Sequence, residues 1–223
     1  MFDALEGDVF VILEGKGDLR LSNPAQLTVA PNGDRNKDRF DVGYVLLTPE
    51  EVEDIGEENF LGSGDLSPRD AAAPRRGYFA LGFPASKQER DAYRKVYKTS
   101  LMRIATTEVK DKIYEMTKFQ RDFHLLLRFN ERDMRGPNGQ RGSVPNPKGL
   151  SGGGIWRVNP LEQYRPDNKP KLVALTIERP PEYGKALLST RIEAILAAIR
   201  KQYPDVASDL RPNPHVQINI RRE

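Results

Sequence analysis

Cysteine is absent from the 223-residue chain, which removes thiol nucleophiles, disulfide staples and thiolate-bound zinc together. Histidine is almost absent: His124 and His215 are the only two, so any chemistry needing an imidazole base must use one of them or look outside this sequence. Tryptophan occurs once, at Trp156, and reads as a buried anchor before a substrate contact, because a large indole contributes most when packed. Long apolar runs are missing as well. The most extended, residues 172–177, is far too short to cross a bilayer, and the opening MFDALEGDVF has neither the basic start nor the apolar stretch of a signal peptide. No membrane contact is expected, and the cytoplasm is the expected compartment, with secretion left open should the true start lie upstream.

Excess charge of one sign is also lacking, with 35 basic against 32 acidic residues. The basic pairs Arg75-Arg76 and Arg221-Arg222 have no interleaved aromatics on which bases could stack, so nucleic acid is disfavoured as a partner. Arg75-Arg76 reads as a solvated, protease-sensitive feature. No P-loop is present, and Gly152-Gly153-Gly154 does not follow a strand in the manner of a dinucleotide-binding turn. The sequence therefore predicts no cofactor and no metal.

What is present is a series of short apolar segments separated by Gly, Pro and Asn, the pattern of strands joined by turns. Residues 9–13, 25–30 and 41–47 form a first group; residues 77–83, 101–109, 122–130, 153–158 and 171–177 form a second. Between them, GSGDLSPRDAAAPRRG has no periodicity and reads as a surface linker. One helix is expected near the end. Thr190 and Glu193 have capping-box spacing, and Ile192, Ile195, Leu196 and Ile199 repeat at helical intervals until Tyr203-Pro204. Residues 215–220 alternate Val216, Ile218 and Ile220 and read as a last strand or tail. In residues 122–129, alternation places Phe123, Leu125, Leu127 and Phe129 on one face and His124, Leu126 and Arg128 on a more polar one.

The segment from 131 to 148 is polar and rich in Gly, Pro and Asn, and it leads into Gly149-Leu150-Ser151-Gly152-Gly153. A serine between glycines on a tight turn leaves its hydroxyl unobstructed, and the glycines let backbone N–H groups approach a developing oxyanion. Ser151 is the candidate nucleophile, and the amides of Gly149 and Ser151 are the candidate oxyanion hole. An α/β-hydrolase elbow has the same G-x-S-x-G form, and His215 does follow the serine. That fold, however, requires strand, turn, helix, whereas Ser151 is followed by strand-like residues 153–158.

The two strand groups, the GxSGG loop late in the second and the closing helix resemble the trypsin-like (chymotrypsin-fold) serine protease family. Residues 41–46, DVGYVL, are similar to the family's strand entry whose aspartate orients the catalytic histidine; Asp41 is the implied residue and Asp38 its rival. Ser189-Thr190-Arg191-Ile192 resembles the Thr-Arg-Val signature that begins the C-terminal helix, and residues 77–84 resemble the opening strand of the second barrel. The resemblance implies a mainly β, two-barrel fold with the first barrel incomplete, plus a C-terminal α-helix. Residues 1–66 would form the partial first barrel, 67–76 the linker, 77–184 the second barrel and 185–223 the helix and tail. It implies catalytic Ser151 and Asp41, and an extended peptide or protein substrate paired along Thr176, Ile177 and Glu178.

The family's histidine would fall just before residue 1, so the expectation is a trypsin-like serine endopeptidase shortened at its N-terminus and inactive as given. The alternative is a pseudoprotease acting as a peptide- or protein-binding module. Without a base a serine hydroxyl is a poor nucleophile, and its loss typically costs roughly 10⁴ to 10⁶ in rate. His124 lies in the second barrel by this resemblance, away from Asp41. Leu150 stands where zymogen-activated members carry an aspartate, which argues against activation by clipping. Pro145 replaces the acidic residue of trypsin, so a preference for Lys and Arg is not implied. An incomplete first barrel would leave strand edges for a partner or a longer chain to cover.

Overall fold

Leu125, Leu126 and Leu127 are three consecutive residues with no measurable exposure, which in a strand requires cover on both faces. That strand, β10 (His124–Arg128), and its neighbours dominate the fold. The computed structural model describes residues 2–4, 8–13, 17–28, 34, 38–67, 77–84, 88–91, 96–130, 134–135, 141–142, 146–158, 169–178, 180 and 183–205. Pro145, His215, the strand expected over 215–220 and both arginine pairs lie outside the described residues. The chain divides into two compact units, one of residues up to Gly64 and one beginning at Asp65.

In the second unit, β6 (Gly77–Gly82), β9 (Met102–Thr106), β10, β13 (Gly154–Val158), β14 (Lys171–Glu178) and β15 (Ala186–Arg191) form one antiparallel sheet. Their order is β10-β15-β14-β13-β6-β9, and the sheet curls into a half-barrel. The backbone just past β9 returns to the opposite edge: Arg128 N–H donates to Thr107 O at 2.9 Å and Val109 N–H to Leu126 O at 3.0 Å. The Thr106 hydroxyl donates to Arg128 O at 2.6 Å. The two outermost strands thus satisfy part of each other's edge. Leu125, Leu127 and Phe129 pack with Tyr78, Ile104, Ile155 and Leu187 in one apolar cluster. Leu126 lies in a second, with Val109, Tyr114, Phe119, Ile177 and Leu188.

Two smaller hairpins accompany the sheet, β7 (Gln88–Asp91) with β8 (Val96–Thr99) and β11 (Met134–Arg135) with β12 (Arg141–Gly142). Helix α2 (Asp111–Thr117) buries Tyr114 and Thr117, and α3 (Ile192–Gln202) buries Ile192, Ala194, Ile195 and Ala198 in a stripe at helical spacing. Arg200 and Lys201 sit in the last turn of α3, where cations complement the helix dipole.

The first unit has shorter pieces. Strands β1 (Phe2–Ala4), β4 (Gln26–Thr28) and β5 (Gly43–Tyr44) form a three-stranded antiparallel sheet, and β2 (Phe10–Leu13) pairs with β3 (Gly17–Arg20). Helix α1 (Pro49–Ile55) begins with a capping box: Glu51 N–H donates to Thr48 Oγ1 at 3.2 Å and Thr48 N–H to Glu51 Oε2 at 2.8 Å. Ser22 N–H also donates to Glu51 Oε1, at 2.6 Å.

Several sequence expectations are corrected here. The helix expected near the end is α3, and α1 and α2 are two further helices among the described residues. Thr190 does not cap α3; it lies inside β15, and Arg191 at the N-cap makes no side-chain cap bond. The sheet does not stop at residue 184, since β15 supplies one of its inner strands. His124 is not on a polar face: it is buried, because α2 and Phe119 cover the side it shares with Leu126. The linker expected from residue 67 is also not free at its start. Leu66 pairs with Leu172, Ser67 N–H donates to Leu172 O at 3.0 Å, and Arg157 donates to the Ser67 hydroxyl.

Candidate functional site

The loop of residues 146–153 leads into β13 and is clasped on both sides. The Asn146 side chain accepts from Lys148 N–H at 3.0 Å, and Leu150 N–H donates to Pro147 O at 2.9 Å. Gly149, with φ of 91°, occupies the third position of that turn; positive φ there makes it a type II turn and favours glycine. Leu150 then drops its side chain into the first apolar cluster. Beyond Ser151 the chain joins the sheet: Gly152 N–H donates to Thr176 O and Thr176 N–H to Gly153 O, both at 2.8 Å. Gly153 leaves no room for a side chain, since a Cβ there would stand 2.8 Å from Leu150 O.

The amides of this loop follow a pattern. Those of Lys148, Leu150, Gly152 and Gly153 are all bonded, whereas those of Gly149 and Ser151 have no partner among the described residues. Both residues are exposed. Two unpaired N–H groups flanking one residue, with a solvent-facing serine hydroxyl beside them, have the composition of an oxyanion hole. The bonds between Gly152, Gly153 and Thr176 fix the loop to β14, and an unpaired main-chain donor is tolerated where water or a substrate oxygen can meet it.

His124 does not serve this serine. Register runs His124 to Thr190, Thr190 to Leu175 and Leu175 to Gly154, so three strand spacings, roughly 14 Å along the sheet, separate the imidazole from the start of β13. Its Nδ1 lies 3.2 Å from Gln120 O, and Phe119 and Phe123 meet its ring edge-on. The ring is a packed, hydrogen-bonded core group.

The remaining candidates fall as follows. Thr176 is buried, with its N–H and C=O bonded to the Ser151 loop. Ile177 is the bulged residue between the Thr176↔Ser189 and Glu178↔Leu188 pairs, and it packs in the second cluster. Glu178 is exposed at the end of β14. Asp41 belongs to the first unit, exposed and with φ of 38°. Its rival Asp38 accepts from the Thr28 hydroxyl and from Phe40 N–H at 3.0 Å, a bridging role in the loop before β5. Trp156 is half-buried, its indole against the backbone of Gly154.

The sequence reading missed a polar cluster on the covered side of β10. Glu108 Oε1 accepts from Tyr114 OH and Arg121 Nη1, each at 2.8 Å, and from Arg191 Nη2 at 3.4 Å. Leu126 N–H donates to the Tyr114 oxygen at 2.8 Å. Arg191 Nε donates to Arg121 O and His124 O, at 2.6 and 3.0 Å, and Arg121 stacks over the Tyr114 ring. Burial, and then the Glu108 charge, push the Tyr114 phenol well above its ordinary range. No spacing rule joins residues 108, 114, 121 and 191, so only the fold could reveal them.

Among the described residues no group of acidic or histidine side chains could hold a metal ion, and no helix is long and apolar enough to cross a membrane. No protein-family model and no curated protein matches this chain. The site stands on its own geometry.

Proposed function

We propose that the second unit is the nucleophile-bearing part of a trypsin-like serine endopeptidase. Ser151 Oγ would attack the carbonyl carbon of an extended peptide, and the Gly149 and Ser151 amides would receive the resulting oxyanion. The observation that carries this reading is the pair of unpaired amides on either side of Leu150, in a loop whose other amides are bonded. Collapse of the tetrahedral intermediate would break the C–N bond, with a proton delivered to the leaving amine, and water would then release the acyl group from Ser151. The Ser151 proton needs an acceptor, and His124 is not it, being buried three strands away.

The placement of His124 favours a second reading, a pseudoprotease module that binds a peptide at Ser151 without cleaving it. A fluorophosphonate probe with and without added imidazole separates the two. Attack by Ser151 forms the P–O bond, expels fluoride and passes its proton to the free imidazole. Imidazole-accelerated labelling that disappears in Ser151→Ala is the expected result. Equal, background labelling of both proteins would overturn the peptidase reading, and saturable binding of a fluorescent extended peptide would then support the module.

A further inference from the structure

The turn that presents Gly149 has a cation at its corner. In the type II turn of residues 147–150, Lys148 takes the second position, immediately before the first unpaired amide. Its backbone is pinned by Asn146 and its side chain is exposed. The ammonium has no acidic partner among the described residues. Residues 146–153, NPKGLSGG, contain no acidic residue. The two N–H groups and the ammonium therefore present positive charge over a stretch of four residues, an arrangement that favours anions. Glu178, two residues beyond Thr176 on β14, carries the opposite charge and is already engaged in interactions of its own.

We infer that Lys148 sets the charge preference of the Ser151 site, selecting acyl substrates with an aspartate or glutamate side chain flanking the scissile carbonyl. This rests on the reading of Ser151 and its neighbouring amides given above. The substrate carboxylate would pair with the ammonium while the scissile carbonyl oxygen meets the Gly149 and Ser151 amides. Lys148 positions and selects; it takes no part in bond making.

Three matched fluorescent peptidyl boronates, differing only in a flanking Glu, Gln or Lys, test this, because boron adds to a serine oxygen while the hydroxyl proton passes to water. The Glu ligand should bind roughly threefold to fivefold more tightly than the Lys ligand, the scale of one exposed ion pair. The preference should shrink as salt rises, vanish in Lys148→Ala and reverse in Lys148→Glu, while Glu178→Gln leaves it in place. Ser151-dependent binding with the same order of ligands in wild type and Lys148→Ala would overturn the inference and leave the site standing. Binding unaffected by Ser151→Ala would overturn the site and the inference together.

Discussion

The second unit is organised by strands of five to eight residues in its main sheet and by two apolar clusters, whereas the first relies on strands of two to four residues. Among the described residues of the first unit, the buried apolar side chains are Leu21, Ala25 and Val42. Two carboxylates tie its segments together: Glu51 accepts from Ser22 and Thr48, and Asp38 accepts from Thr28 and Phe40. The units should therefore fail for different reasons. Apolar burial supplies most of the driving force for a core of the second kind, and loss of packing is its weak point. The first contains in Glu51 a carboxylate whose backbone hydrogen bonds favour its ionised form, and protonation is the weak point expected there.

Leu126→Ala probes this most severely. The side chain is fully buried in the cluster of Val109, Phe119 and Leu188, so its truncation should destabilise the second unit by about 2–5 kcal/mol. Hydrogen exchange read by mass spectrometry should show faster exchange across β10 and β15 and unchanged protection around Thr48 and Glu51. Equal loss in both units would break the comparison. Tyr114→Phe comes next. It leaves the ring and deprives Leu126 N–H and Glu108 of a partner, for an expected loss of about 1–3 kcal/mol in urea unfolding.

Acid should act on the first unit. The backbone N–H groups of Thr48, and then Ser22, hold the Glu51 carboxyl below its ordinary value. A carboxyl depressed in the folded state contributes stability above its unfolded pKa and loses it as pH falls through the folded one. Protection near α1 should decline over that acidic window while β10 stays closed, and Glu51→Gln should flatten the dependence. A pH profile identical in wild type and variant would show that another group governs the loss. Ser189→Ala should do least. Its hydroxyl is wholly buried without a partner among the described residues, so removing it relieves an unsatisfied group, with an effect within about 1 kcal/mol and toward greater stability. A clear drop in melting temperature would reveal an unrecognised role for that oxygen.

The sequence made much of the second unit legible because its strands announce themselves. Residues 77–83, 153–158 and 171–177 are apolar runs bounded by Gly and Pro, and they correspond closely to β6, β13 and β14. The Ser151 loop was legible for a related reason, since clustered glycines mark places where the backbone needs positive φ or close approach. β15 was misjudged because Thr190 near its end, with Glu193 three residues on, imitates a capping box while long-range pairing with β10 and β14 determines its conformation. Helix α1 could have been found: Thr48-Pro49-Glu50-Glu51 has a capping residue, proline at the first turn and glutamate three positions on. Helix α2 offered less, as Lys110 gives no side-chain cap. His124 misled because strict alternation assumes one wet face, and α2 removes it.

The strand order also fixes a schedule for the chain's production. β15 is the sixth strand of the main sheet to be synthesised, yet it lies between β10 and β14 rather than at a border. Until residue 191 is available, β10 cannot join β14 through it, and the segments already made must wait with their pairing surfaces open. Sheets closed by distant segments form slowly, and half-made ones are prone to stick to one another. A ribosome carrying this chain to residue 178 would therefore hold an incomplete sheet, and closure would wait for β15 to emerge.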